Sequence, residues 1–111
     1  MFNSLAIVKD STDTNWFFQS ANATTTTRVN TGVAIAAGQV YDLYMFCKPN
    51  DSKVTVRFVN VNTGTVIMND VEITSTLPVN TTYMYAYAGL RNTGTAINAL
   101  ALSRIYVETD V

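Results

Sequence analysis

A short loop, Asp10-Ser11-Thr12-Asp13-Thr14-Asn15, is a run of oxygen-bearing side chains, the chemistry a calcium ion asks for. It lacks the glycine and the distal glutamate of an EF-hand loop, and two carboxylates make a weak site. A hydrogen-bonded turn ahead of Trp16 is the preferred reading, since Asp, Asn, Ser and Thr close turns with their own side chains. Asp70 and Glu72 stand two apart and so share a strand face, the spacing of a hydrolytic carboxylate pair. No further acid lies nearby to build a cleft, and a solvated strand face accounts for them. Asp42 sits in an otherwise apolar stretch and needs a partner. A structural salt bridge to Arg57, Arg91 or Arg104 is expected ahead of a catalytic role. The chain has no histidine, which removes the commonest general base and the usual zinc ligand. Its one cysteine, Cys47, has no base to activate it and is expected to be a small buried hydrophobe. Trp16, followed by Phe17 and Phe18, could stack on a sugar ring, but an aromatic of that area is expected first in a core or an interface. Neither catalytic, cofactor-binding nor metal-ligating residues are assigned.

The elements that would position these residues are short. With 111 residues the chain has the length of one small domain, and residues 1–111 are taken as a single unit. Apolar residues make up 48% and charged residues 14%. That balance excludes disorder. No apolar run approaches the ~20 residues that span a bilayer, and the first ten residues lack the basic start and apolar stretch of a signal peptide. A net charge of −1 gives no electrostatic basis for binding nucleic acid or an anionic membrane. A single cysteine leaves no internal disulfide. Three sequons, at Asn22, Asn50 and Asn80, matter only in a protein secreted from a eukaryotic cell.

Apolar residues recur with period two in short runs broken by Asn, Thr, Gly and Asp, which predicts strands rather than helices. The expected strands are 3–9, 14–20, 26–36, 39–47, 53–61, 64–74, 82–89 and 97–108. Asn-Thr-Gly occurs at 30–32, 62–64 and 92–94. Each is expected to be a turn, the glycine supplying positive φ, in preference to a three-fold internal repeat. Lys48-Pro49-Asn50-Asp51-Ser52 reads as a hairpin loop, and Leu77-Pro78 as an extended stretch closing a strand. In Val54-Thr55-Val56-Arg57-Phe58 one face is apolar and the other polar, and the phase flips at Phe58-Val59, where a bulge is expected. A similar slip falls near Ser103-Arg104.

Two stretches are apolar on both faces. Tyr41, Leu43, Met45 and Cys47 line one side of the run from Val40 to Cys47, while Val40, Tyr44 and Phe46 line the other with Asp42. In the 82–89 strand Tyr83, Tyr85 and Tyr87 share a face. A two-layer domain of this size buries few strands on both sides, so the extra apolar face predicts a subunit interface. Its expected residues are Tyr41, Leu43, Tyr44, Met45 and Phe46, with Tyr83, Tyr85 and Tyr87.

The stretch Asp10-Ser11-Thr12-Asp13-Thr14-Asn15-Trp16 is followed by Arg28-Val29-Asn30-Thr31-Gly32-Val33-Ala34. Then come Gly38-Gln39-Val40-Tyr41-Asp42-Leu43, Val54-Thr55-Val56-Arg57-Phe58, Leu77-Pro78, and Asn92-Thr93-Gly94-Thr95-Ala96 before Leu100, Leu102, Ile105 and Val107. Over about residues 7–108 this order resembles a β-sandwich module of bacteriophage virion proteins. That module recurs in tail fibres, tailspikes and related appendages, often at the C-terminus. Many members carry further strands before the Asp-Ser-Thr turn. This chain would then be the back half of a larger domain, a compact version completed by neighbouring subunits, or the C-terminal domain of a longer fibre or spike.

The resemblance implies a fibre-associated homotrimer, made in the bacterial cytoplasm and residing in the virion. The fold class expected is all-β, an antiparallel β-sandwich of jelly-roll-like form. The function expected is trimerisation and stabilisation of the appendage, with the rest of the fibre or spike as partner. The alternative is a receptor-binding module that recognises host surface carbohydrate through Trp16 and exposed tyrosines. Tailspikes of this kind carry polysaccharide-cleaving activity in a separate central domain, so this chain is not expected to be an enzyme. No cofactor is expected.

Overall fold

The structure, a computed structural model, describes residues 3–49, 51–79, 81, 86–90 and 100–108. Six strands form where Thr, Val and aromatic residues alternate with polar ones: β1 (Ser4–Val8), β2 (Asn15–Ala21), β3 (Thr26–Ala34), β4 (Tyr41–Phe46), β5 (Val54–Asn60) and β6 (Val66–Ile73). They make two three-stranded antiparallel sheets, β1-β2-β3 and β4-β5-β6, with no helix among the described residues. Each sheet is built from three consecutive strands. The described strands are thus two meanders, not the alternation between sheets that defines a jelly roll. No helix of the described residues is long and apolar enough to cross a membrane.

The β2–β3 hairpin is closed by Asn22, whose Oδ1 accepts from the backbone N–H groups of Thr24 and Thr25 at 2.9 and 2.8 Å. Asn60 does the same for β5–β6, accepting from the N–H of Asn62 and Thr63, while Gly64 takes φ +73° and donates its N–H to the Asn60 carbonyl. The Asn62-Thr63-Gly64 turn is therefore as expected. The Asn30-Thr31-Gly32 tripeptide is not a turn: it lies inside β3. There β2 residues Asn15 and Phe17 pair with Ala34 and Asn30, and the extra β3 residues form a bulge with Gly32 at φ +75°. A positive-φ glycine serves a bulge as well as a turn. The third tripeptide lies outside the described residues.

The core is built where the two sheets face each other. Phe18 of β2 packs with Val54, Val56 and Phe58 of β5 and Met68 of β6, all buried. Leu5, Ile7, Trp16, Tyr41, Ile67, Ile73 and Leu77 close around this cluster. Inward residues of β5 alternate with half-buried ones, as its sequence requires. The expected irregularity at Phe58 is present: the β5–β6 register shifts on both sides of it, and Asp70 on β6 takes φ +49°. After β6 the chain returns to the first sheet, where Thr76 Oγ1 lies 2.7 Å from Thr27 Oγ1 and Val79 N–H donates to Asn3 Oδ1.

The strands expected over 82–89 and 97–108 are not present in their described parts. Residues 86–90 and 100–108 have no strand pairing, and Tyr87 is 81% exposed. Alternation suits a residue run to a sheet but does not provide the neighbour that stabilises it. Tyr83 and Tyr85 lie outside the described residues.

Candidate functional site

Strand β4 carries four consecutive exposed apolar side chains, and residues 100–107 carry five more. Its register with β5 places Tyr41, Leu43 and Met45 opposite Asn60, Phe58 and Val56, on the inner face of the sheet. Asp42, Tyr44 and Phe46 stand opposite Val59, Arg57 and Thr55, on the outer face. Among the described residues β5 is the only neighbour of β4, so its far edge presents backbone groups with no ladder partner. Leu43, Tyr44, Met45 and Phe46 remain 38, 56, 44 and 62% exposed. The inner face is thus uncovered at this edge as well as the outer one.

Tyr41 departs from that pattern. Its ring stacks on Phe58 at 5.3 Å between centroids and meets Trp16 edge-on at 5.3 Å, so it belongs to the inter-sheet core. Trp16 also meets Phe58 edge-on at 5.9 Å. An indole held between two rings in the seam is not an open stacking platform, and its buried Nε1–H has no hydrogen-bond partner among the described residues. Cys47, expected to be buried, is exposed. It follows the last residue of β4, beyond the cover of the facing sheet.

A cleft of about 500 Å³ runs along β4, lined by Asp42, Leu43, Tyr44, Met45 and Phe46 on one side and by Arg104 and Tyr106 on the other. Asp42 accepts a hydrogen bond from the Tyr44 hydroxyl at 3.3 Å. It makes no ion pair among the described residues. Arg57, one of its expected partners, is engaged by Asn69 at 2.9 Å and by Asp70 at 3.8 Å. Arg104 shares the cleft with Asp42, and Arg91 lies outside the described residues. The composition of 100–108 carried the signal for Arg104 and Tyr106, the basic and the aromatic residue of an otherwise mostly aliphatic segment. Reading the segment as an internal strand hid their placement beside β4.

The carboxylates with catalytic spacing are dispersed. Asp70, at φ +49°, lies 3.8 Å from Arg57, while Glu72 pairs with Lys53 at 2.6 Å and raises that ammonium above its ordinary range. In the Asp10–Asn15 loop, Asp13 Oδ2 accepts from the Asp10 backbone N–H at 2.7 Å and from Arg28 Nη2 at 2.6 Å, while Asp10 pairs with Arg28 Nη1 at 3.3 Å. The loop is therefore the expected hydrogen-bonded turn, with its carboxylates directed to a guanidinium that also lies 4.4 Å over the Phe17 ring. No group of three or more His, Cys, Asp and Glu that could hold a metal occurs among the described residues.

No family model, curated protein or solved structure matches this chain. Its chemistry is that of its own surfaces, and among the described residues the apolar β4 edge and the facing residues Arg104 and Tyr106 form a cleft.

The Asp13 turn has a testable pH signature. The Asp10 N–H, and then the Arg28 guanidinium, hold the Asp13 carboxyl below its ordinary value of 3.8. A depressed carboxyl stabilises the fold above its unfolded pKa, and that contribution fades as pH falls through the folded value. Asp13→Asn is expected to flatten the decline of melting temperature between pH ~5 and ~2. The check is thermal unfolding of both proteins across that range, and parallel curves would remove Asp13 from the account.

Proposed function

We propose that this chain is an assembly module whose copies associate through the β4 edge. One observation carries the reading: β4, an edge strand among the described residues, has Leu43 to Phe46 apolar and exposed on both faces. Burying one aromatic side chain contributes about 1.5–3 kcal/mol, so a patch of this kind is costly to leave in water. An unpaired edge adds a row of backbone donors and acceptors that a neighbouring chain can satisfy. With no disulfide to brace it, a domain of 111 residues gains stability from such association. The similarity of residues 7–108 to the virion β-sandwich module supports a specific setting. In that setting we read the protein as the C-terminal trimerisation domain of a phage tail fibre or tailspike, three copies closing around one axis.

The experiment is absolute mass by light scattering on a size-exclusion column, for the natural chain and for Tyr44→Asp with Phe46→Asp. These two side chains lie on the outer face, away from the core, so the variant keeps its fold. A mass near three chains that holds on dilution, falling to one chain in the variant with an unchanged β-sheet circular dichroism spectrum, is the expected result. An unchanged variant mass would remove β4 from the interface. A monomeric natural chain would turn attention to the carbohydrate alternative, for which the cleft between Tyr44, Asp42, Arg104 and Tyr106 is the place to probe with glycans.

A further inference from the structure

We infer that β4 of one copy receives residues 100–108 of a second copy as an added antiparallel strand, in the register that sets Asp42 opposite Arg104. The inference rests on the assembly reading and names the element that makes the contact. Three observations converge on it.

The first is the acceptor. Among the described residues β4 has a ladder partner on one side only, and extended segments add readily to such an edge, their main chain giving affinity and their alternate side chains specificity. The second is the donor. Residues 100–108 alternate like a strand yet are unpaired, with Leu100, Leu102, Ile105, Tyr106 and Val107 all more than half exposed. A lone strand is not stable in water, so this segment is built to pair.

The third is complementarity. Asp42 is the one charged residue of β4, and Arg104 is the one basic residue of 100–108. Setting them opposite also sets Tyr44 opposite Leu102 and Phe46 opposite Leu100, so the outer face becomes one charge pair and two apolar pairs. On the inner face Met45 meets Ala101, Leu43 meets Ser103 and Tyr41 meets Ile105. A slip of one residue would move every side chain to the wrong face. A slip of two would set Arg104 against Tyr44 and Asp42 against Tyr106 in one direction, or Arg104 against Val40 and Asp42 against Leu102 in the other.

Arg104 and Tyr106 already line the cleft beside β4 in their own chain, yet that chain leaves the segment unburied. Exchange between copies satisfies both elements at once. Each copy gives one tail and receives one, so a closed ring leaves no copy with an open β4 edge.

The test uses the full chain with Cys47→Ser and two new cysteines, Met45→Cys and Ala101→Cys, directly opposed in this register. Opposed antiparallel residues lie ~4.5–5.5 Å apart at Cα, a span a disulfide bridges. Oxidised and run without reductant on a denaturing gel, the double variant is expected to form covalent species of two and three chains that collapse on reduction. Each single variant should stay at one chain or reach two at most. A bridge confined within one chain would overturn the exchange, because the tail would then pair with its own edge. No bridge in a protein whose light-scattering mass is still multimeric would overturn the inference while leaving assembly through β4 standing. A monomeric mass before any substitution would remove both. Charge reversal provides a second readout. Asp42→Arg or Arg104→Asp alone should weaken association about five-fold, the size of a cross-strand charge pair, and the two together should restore it. Failure of the double reversal to recover would exclude this register.

Discussion

Phe18→Ala is expected to lower the free energy of unfolding by about 3–5 kcal/mol, the loss of a large aromatic cut to a methyl group in a packed core. Phe18 is the one fully buried hydrophobe that the first sheet contributes to the cluster of Val54, Val56, Phe58 and Met68. Cutting it to a methyl group opens a gap at the centre of the cluster, and the neighbouring strands cannot close it without breaking their ladders. A domain of this size is stable by about 5–15 kcal/mol, so the change consumes a large share of the total. Urea unfolding monitored by circular dichroism measures it as a fall in the midpoint. Phe17→Ala is the internal control. Phe17 sits on the opposite face under the Arg28 guanidinium, and its loss is expected to remain near 1 kcal/mol, a cation–π contact and partial burial. Equal losses at 17 and 18 would mean that the faces of β2 are assigned the wrong way round.

Those faces follow from the period-two pattern, and so do the six described strands. The residues of Val54-Thr55-Val56-Arg57-Phe58 declare which side of β5 is inside, and the phase break at Phe58-Val59 declares where its pairing slips. What local pattern does not carry is the identity of the neighbour. Asn-Thr-Gly at 30–32 and 62–64 is one tripeptide with one need, a glycine at positive φ. It becomes a bulge in β3 and a turn after β5 because β2 continues alongside the first and nothing continues alongside the second. Tyr41 and Tyr44 read alike in sequence. Pairing with β5 opposite Asn60 sets the Tyr41 ring on Phe58 in the core and leaves Tyr44, opposite Arg57, on the surface, and that register depends on a strand more than ten residues away. Cys47 looked like the next inward position of β4, but the strand ends before it. The tail 100–108 shows the same limit: its alternation is legible, while the partner that would make it a strand lies outside the pairings of its own described fold.

Trp16→Ala is expected to cost about 3–5 kcal/mol in stability, and Trp16→Phe to remain within about 1 kcal/mol of the natural chain. The contrast follows from the two parts of the side chain. Its ring fills the seam between the sheets, edge-on to Tyr41 and Phe58, so removing it opens the core next to two other aromatics. Its indole Nε1–H is buried with no acceptor among the described residues, and an orphaned donor costs about 1–3 kcal/mol of desolvation that phenylalanine does not incur. Lost area and regained desolvation then nearly offset each other in the phenylalanine variant. Thermal unfolding of the three proteins decides the point, and the chain's single tryptophan makes its emission a direct probe of the seam. The same series separates the two functional readings. If Trp16→Ala melts near the natural chain and loses only glycan binding, the indole is a surface platform and carbohydrate recognition displaces assembly as the reading of this protein. If it melts far lower while Trp16→Phe does not, Trp16 belongs to the frame that holds β4 in place, and the exposed residues from Leu43 to Phe46 are left as the surface on which association must act.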